Sequence, residues 1–183
     1  MESLAGHLLL ASPHLADPNF VHTVVLLIQH DDQGALGLVL NRPTSKTVRD
    51  LWHQVGEAAC ESTRAVHLGG PVSGPLMAIH NVVDIAEMEI APGVFFAAKK
   101  QHLDQLVTRD DELFRIFIGH AGWGPGQLES EIEQGAWRAT PAAPTDVFDD
   151  AEGLWERVWQ RLEGGALASI LKLKHVPPDP SLN

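Results

Sequence analysis

The chain has 183 residues, of which 44% are hydrophobic and 20% charged, a balance typical of one globular domain rather than of a disordered segment. Its formal net charge of -11 repels phosphate backbones at long range and argues against general nucleic-acid binding. The single cysteine, Cys60, excludes an intrachain disulfide and a cysteine-based zinc site, and favours a reducing, cytoplasmic location. No apolar run has the length of an export signal core or a membrane span.

The first third of the chain is predicted to form strands and a covering helix. Residues 6–11 read as a strand, and residues 23–28, apolar on both faces, as a central strand covered from two sides. Residues 35–41 return as its antiparallel partner in a hairpin, which the following Arg-Pro pair is expected to end. Apolar spacing then predicts a helix over 48–56, with Thr47 as its N-cap.

The middle of the chain alternates short strands with one helix. Strands are predicted over 65–68 and 76–80, joined by a loop with too many glycines and prolines to be regular. A strand over 94–98, a helix over 100–109 and a strand over 113–118 follow.

Helices dominate the last third. A helix opens at Pro125-Gly126-Gln127, and a strand over 136–139 follows it. An amphipathic helix then begins at Leu154, and Gly164-Gly165 are expected to break it. One domain over 1–183, with a loose tail from about residue 176, is predicted. Because strands outnumber helices and hairpins link neighbours, the fold class is α+β with mostly antiparallel pairing.

Residues 118–131 form a glycine-rich turn between a strand and an acidic helix, the arrangement of many phosphate sites. Phosphate binding is disfavoured, because the spacing of the glycines fits neither the P-loop nor the dinucleotide fingerprint and Glu129, Glu131 and Glu133 would repel it. A structural turn that tucks Trp123 under the helix is the favoured interpretation.

Gln127 and Glu131 are one helical turn apart and share a face. Arg42, at a predicted strand end, is the expected cationic partner of Glu131, since a guanidinium pairs well with a carboxylate. The pair has two interpretations, a structural ion pair between hairpin and helix, which is favoured, and a ligand-binding pocket.

Other chemistries find weak support in the sequence. No serine or cysteine lies in a nucleophile elbow, and no two histidines have the spacing of a shared metal ligand pair. The hairpin residues His30, Asp31 and Asp32 are predicted to be exposed, and His67 and His80 to be satisfied core or rim histidines. Neither a catalytic residue, nor a metal, nor a cofactor is assigned.

The chain resembles the YqgE/AlgH family over nearly its whole length. Four segments carry the resemblance, in the order of the family: Gly6-His7-Leu8-Leu9, His30 through Asn41-Arg42-Pro43, Leu68-Gly69-Gly70-Pro71-Val72, and Gly119 through Glu131 followed by Trp137. The resemblance implies a bacterial protein with one α+β domain, in which a bifurcated, mostly antiparallel sheet curls into a pseudo-barrel with flanking helices.

The resemblance implies no established enzymatic activity, and one branch of the family is labelled as a transcriptional regulator of alginate production. Because the chain has no helix-turn-helix signature and is acidic, any regulation is expected to act through contacts with a protein or small molecule. Partner and oligomeric state stay open at this point.

The leading hypothesis is a non-enzymatic binding or regulatory domain with one shared surface cleft. Its candidate ligand- or partner-binding residues are Asn41, Arg42, Gly69, Gly70, Trp123, Gln127 and Glu131. The alternative is an enzyme that uses the Glu131 carboxylate in a tryptophan-lined pocket. Direct DNA or RNA binding is a third, disfavoured hypothesis.

Overall fold

The computed structural model describes residues 2–173, so the tail predicted from residue 176 lies outside the described residues. The chain is α+β, as predicted. The strands are β1 (His7–Ala11), β2 (Val24–Asp31), β3 (Gly34–Val39), β4 (Pro43–Thr47), β5 (Ala65–Leu68), β6 (Met77–His80), β7 (Met88–Ala91), β8 (Val94–Ala97), β9 (Phe114–Ile118), β10 (Ala121–Trp123) and β11 (Trp137–Pro141). The helices are α1 (Val48–Val55), α2 (Lys100–Leu106), α3 (Gln127–Glu133), α4 (Pro144–Val147) and α5 (Leu154–Leu173), with a short 3-10 helix over Val83–Ile85.

The strands form two sheets. The first has five strands in the order β10-β3-β2-β1-β11, all paired antiparallel. The second has six strands in the order β4-β5-β9-β6-β8-β7, in which only the β5–β9 pair is parallel among the described strands. The predicted hairpin of β2 and β3 is confirmed, and β2 is the central strand of its sheet.

Three apolar clusters pack on the faces of the two sheets, one between the sheets and one on the outer face of each. Val24 and Leu26 of β2 pack between the two sheets, whereas Val25 and Leu27 pack on the outer face of the first sheet. This alternation covers β2 from both sides, as its β-branched, apolar sequence predicts. The outer cluster of the first sheet lies beneath α3, and that of the second sheet beneath α1 and α2.

The two sheets meet at one junction. The Val39 N–H donates to the Gly69 carbonyl at 2.8 Å, and the Leu68 N–H donates to the Arg42 carbonyl at 2.8 Å. These bonds tie the end of β3 to the end of β5, and the chain passes from one sheet to the other in between. The mostly antiparallel, divided sheet is therefore confirmed, but the described strands pair as two sheets rather than as one closed barrel.

The junction requires glycine. A Cβ on Gly70, whose φ is +155°, would lie 2.2 Å from the carbonyl carbon of His120. A Cβ on Gly69 would lie 2.3 Å from the Gly119 carbonyl oxygen. Because both contacts are with backbone that cannot rotate away, the loop after β5 packs directly against the loop after β9.

Two helices show how far local sequence sets an element. Thr47 caps α1 as predicted, and its side chain and that of Asp50 form a reciprocal capping box. The predicted break at Gly164-Gly165 is wrong, because α5 continues through both glycines to Leu173. Glycine costs about 1 kcal/mol in a helix interior, which the good helix formers around it offset.

No helix within residues 2–173 is long and apolar enough to cross a membrane.

Candidate functional site

The glycine-rich turn builds a hydrogen-bonded cluster around one carboxylate. The indole N–H groups of Trp123 and Trp137 both donate to Oε2 of Glu131, at 2.9 Å and 2.8 Å. Oε1 of Glu131 accepts from Nε2 of Gln127 at 2.9 Å, and Oε1 of Gln127 accepts from the Gly124 N–H at 3.0 Å. Both carboxylate oxygens are therefore engaged.

Packing reinforces this cluster. Trp123 and Trp137 are only 6% and 3% exposed, and their rings meet edge to face with centroids 5.9 Å apart. Phe20, from the loop between β1 and β2, stacks on Trp123 and meets Trp137 edge on. The structural interpretation of the turn is confirmed, since Trp123 lies under α3 beside Leu128.

Arg42 and Asn41 have other partners. The expected Arg42–Glu131 ion pair is wrong, because Arg42 donates to the Val21 carbonyl at 2.6 Å while Glu131 receives the two tryptophans. Asn41 accepts from the Val24 N–H at 3.0 Å and donates to the His22 carbonyl at 2.8 Å. Both side chains thus fasten the segment between β3 and β4 to the loop before β2.

Two depressions flank this segment. Arg42 and Gly70 line a depression of about 220 Å³, together with Pro18, Asn19, Val39, Leu68 and Pro71. Asn41 lines a different depression of about 650 Å³, together with Pro43, Ala65, His67, Arg115, Phe148, Asp149, Asp150, Ala151 and Glu152. A third depression, of about 250 Å³, adjoins the second. The two share four lining residues: Ala65, His67, Arg115 and Phe148.

Arg115 is the charged group of the larger depression. It projects from β9 toward the inter-sheet side, and it donates to the carbonyls of Leu40, at 3.0 Å, and Asp149. Burial lowers the pKa of the guanidinium, and the charges of Asp149 and Asp150 partly offset that effect. Within residues 2–173 no carboxylate lies within 4.0 Å of this guanidinium, so neutral carbonyls are its direct partners.

His67 lies beside Arg115. It is 7% exposed, its ring packs against Phe117 at 5.7 Å, and its Nδ1 is buried without a hydrogen-bond partner. Burial, and then the positive charge of Arg115, lower the pKa of His67 to about 4. The ring is therefore neutral at neutral pH, and the residue lines the depression beside Arg115.

The other histidines differ from the sequence interpretation. His30 is 7% exposed rather than on an exposed hairpin, and its two ring nitrogens meet the Leu4 N–H and the Glu129 carboxylate. His80, at 0% exposure, keeps a buried Nε2 without a partner, so it is not a fully satisfied core histidine. Among the described residues, no group of three or more His, Cys, Asp or Glu side chains could hold a metal ion.

The predicted site residues fall into separate groups. Trp123, Gln127 and Glu131 form one hydrogen-bonded cluster, whereas Arg42 and Gly70 line the smaller depression and Asn41 the larger one. Sequence reasoning missed Arg115 and the loop 148–152. The signal available was a lone arginine within an otherwise apolar strand, Phe114–Ile118, which is a costly place for a charge.

Comparison with known proteins agrees with this architecture. The AlgH-like family model matches residues 8–167. A UPF0301 protein of Streptomyces coelicolor is 37% identical over 204 residues, covering 100% of this chain and 97% of that protein. A UPF0301 protein of Chlorobium chlorochromatii is 36% identical over 183 residues, covering 94% and 93%.

Two solved structures share the fold. The solution structure of the AlgH protein from Pseudomonas aeruginosa has a TM-score of 0.71 at 29% identity, covering 97% of this chain and 96% of that one. A crystal structure of a Corynebacterium diphtheriae protein has a TM-score of 0.70 at 26% identity, covering 88% and 87%. The family match, the similarity to these relatives and the shared fold lead to one conclusion: the chain belongs to the AlgH-like family.

Proposed function

We propose that this chain is a non-enzymatic binding domain and that its ligand occupies the depression at Arg115 and His67. The ligand is a small molecule whose anionic or hydrogen-bond-accepting group faces Arg115. One observation carries the proposal: a partly buried guanidinium without a carboxylate partner lies beside a buried, incompletely bonded histidine at a 650 Å³ depression. Burying a charged group is costly, so a guanidinium without a carboxylate partner is expected where a ligand completes its contacts.

The surroundings suit a small molecule. A volume of about 650 Å³ lies within the range of known ligand pockets, roughly 300–1,000 Å³. Ala65, Phe148 and Ala151 supply apolar wall, and Asn41 supplies an amide at the rim. Mostly apolar walls with a few convergent polar groups are typical of binding sites.

The test is a titration of the isotopically labelled full chain, followed by backbone NMR, with a set of small carboxylates and phosphates. A ligand of this site is expected to shift the amide signals of residues 65–67, 115 and 148–152, and Arg115→Met should abolish the shifts. Arg109→Met is the matched control, because Arg109 is bound to the exposed Asp84 on another surface. Shifts that survive Arg115→Met contradict the proposal.

A second candidate function is protein docking at the smaller depression. Leu68 is 47% exposed there, and its neighbour in the parallel ladder, Ile118, is 37% exposed. Exposed apolar side chains beside an arginine favour a partner segment with an apolar residue next to an acidic one. This assigns Arg42 and Gly70 to a partner surface, through which a regulatory role would act, whereas the buried Gly69 lies behind it against the Gly119 carbonyl.

Affinity purification from the native cell, with mass spectrometry of proteins and small molecules, tests this second candidate. The partner should be retained by the wild type and by Val83→Ser, which changes an apolar residue that is 71% exposed elsewhere. It should be lost with Leu68→Ser. Equal recovery of the partner with Val83→Ser and Leu68→Ser would contradict docking at this surface. Recovery of DNA or RNA instead would favour the third hypothesis.

Catalysis by Glu131 has less support. Each of its oxygens already accepts a hydrogen bond, and one accepts two, so proton transfer would require breaking the tryptophan cluster. A cytoplasmic location remains part of the proposal, and the free, buried thiol of Cys60 supports it.

A further inference from the structure

The mouth of the Arg115 depression carries the opposite charge from its interior. Asp149, Asp150 and Glu152 line it from the loop between α4 and α5, and all three side chains are exposed. Arg115 and His67 lie deeper, on strands β9 and β5. One wall of the depression is therefore cationic and the facing loop is anionic.

Two of the three loop carboxylates lack a cationic partner. Oδ2 of Asp149 lies 3.2 Å from the Arg157 guanidinium of α5, so its charge is compensated. The Asp150 carboxylate accepts the N–H of Glu152 at 3.1 Å. Arg157 binds the main-chain carbonyls of Asp150 and Glu152, but within residues 2–173 neither of their carboxylates has a cation within 4.0 Å. The loop contributes net negative charge to the mouth.

The two charges are close together. The Asp149 carbonyl accepts a hydrogen bond from Arg115 itself, and the charges of Asp149 and of the next residue, Asp150, both act on the Arg115 guanidinium. A ligand that reaches the guanidinium therefore lies near the acidic loop. A simple anion would be attracted by one and repelled by the other, and a simple amine would meet the reverse.

We propose that the ligand is a zwitterion of the amino-acid type, with its carboxylate on Arg115 and its ammonium on Asp150 and Glu152. The inference rests on the proposed function, because it names the ligand class of the same depression. An α-amino acid carries both charges on one small molecule, which suits a depression with Arg115 on one wall and Asp150 and Glu152 on the facing loop. Ala65 and Phe148 form the apolar wall for its side chain. His67, neutral at neutral pH, lines the depression beside Arg115.

Three probes that differ only in charge test the ligand class: L-leucine, N-acetyl-L-leucine and L-leucinamide. Calorimetric titration of the full chain at neutral pH is expected to show L-leucine binding at least about tenfold more tightly than either derivative. Backbone NMR should place the effect at residues 65–67, 115 and 148–152.

Variants of the acidic loop test whether Asp150 and Glu152 bind the ammonium group of the ligand. In the double variant Asp150→Asn, Glu152→Gln, L-leucine should bind no more tightly than N-acetyl-L-leucine. Glu133→Gln, an exposed carboxylate on α3, is the matched control and should keep the preference. Because Asp150 and Glu152 are exposed, these substitutions leave the core intact.

The outcomes separate the two proposals. Equal or tighter binding of N-acetyl-L-leucine at the same amides overturns the zwitterion and leaves the site in place. Absence of any shift at these amides with all three probes overturns the zwitterion as well. If the wider set of carboxylates and phosphates also produces no Arg115-dependent shift, the proposed function falls with it.

Discussion

Trp123 and Trp137 direct their indole N–H groups to the same carboxylate oxygen, Oε2 of Glu131, with their rings nearly perpendicular at 79°. One tryptophan belongs to the edge strand β10 and the other to the opposite edge strand β11 of the same sheet. Helix α3, which lies between them in sequence, is therefore held against that face of the sheet by the hydrogen bonds of one of its side chains, Glu131.

Glu131→Ala is expected to lower the free energy of unfolding by about 3 kcal/mol. Of the three hydrogen bonds that are lost, the two from the buried indoles to the charged acceptor are each worth roughly 1.5 kcal/mol, and the one from the exposed Gln127 contributes little. Urea denaturation followed by tryptophan fluorescence measures the change. Glu133→Ala, at an exposed position on the same helix, should stay within about 0.5 kcal/mol of the wild type. A loss no greater for Glu131 than for Glu133 would show that the cluster contributes little.

Gly70→Ala is expected to destabilise the protein by about 3 kcal/mol or more, because its Cβ would lie 2.2 Å from the His120 carbonyl carbon. Gly165→Ala is the control. Apart from the backbone of its own helix and its chain neighbours, no atom of residues 2–173 lies within 4 Å of a Cβ at Gly165, and alanine in a helix should add up to about 1 kcal/mol of stability. Opposite signs in thermal denaturation support the direct backbone packing of the two loops, and a neutral Gly70→Ala contradicts it.

His67 is expected to make the protein less stable in acid. Its folded-state pKa of about 4 lies below the ordinary value of 6.5, so the unfolded chain binds more protons between these values. The stability that the neutral ring contributes is complete above pH 6.5 and is lost as the pH falls toward 4. The loss is at most about 3.5 kcal/mol, from about 1.4 kcal/mol per pKa unit.

Urea denaturation of the wild type and His67→Gln, each at neutral pH and near the folded-state pKa, isolates this contribution. The wild type should lose more stability on acidification than the variant does. The buried His80, whose pKa burial also lowers, contributes equally to both proteins. Parallel loss in the two proteins would assign the acid sensitivity to other groups.

Arg115→Met is expected to raise the pKa of His67 toward its ordinary value, because the guanidinium charge opposes protonation of the ring. An NMR titration of the imidazole signals measures the shift directly. Burial is the larger cause and remains in the variant, so recovery should be partial. Arg109→Met, on the surface with Asp84, should leave His67 unchanged.

Local sequence predicted most of the fold. The pattern of β2 and the cap at Thr47 depend on neighbours within a few residues, and both predictions are confirmed. The missed strands β4, β7 and β10 are short, and their pairing with distant strands determines them. β4 begins at Pro43, where a proline was expected to end a strand, because it lies at the sheet edge, where a missing N–H is tolerated.

The site was less accessible to sequence reasoning. Arg42 and Glu131 have complementary charges, but charge alone does not reveal that two indoles already occupy the carboxylate. Arg115 stands out in the sequence as a charge within an apolar strand, but only the fold shows that it lies beside His67 and the loop 148–152. The depression is formed by residues from four separate segments, and no sequence motif joins them.

The acidic loop over the depression is positioned through its main chain. Arg115 binds the Asp149 carbonyl, and Arg157 binds the carbonyls of Asp150 and Glu152. Those bonds do not depend on which side chains the loop carries. Relatives could therefore exchange the acidic residues for neutral or basic ones and select a different molecule, while the same two arginines keep the architecture of the mouth.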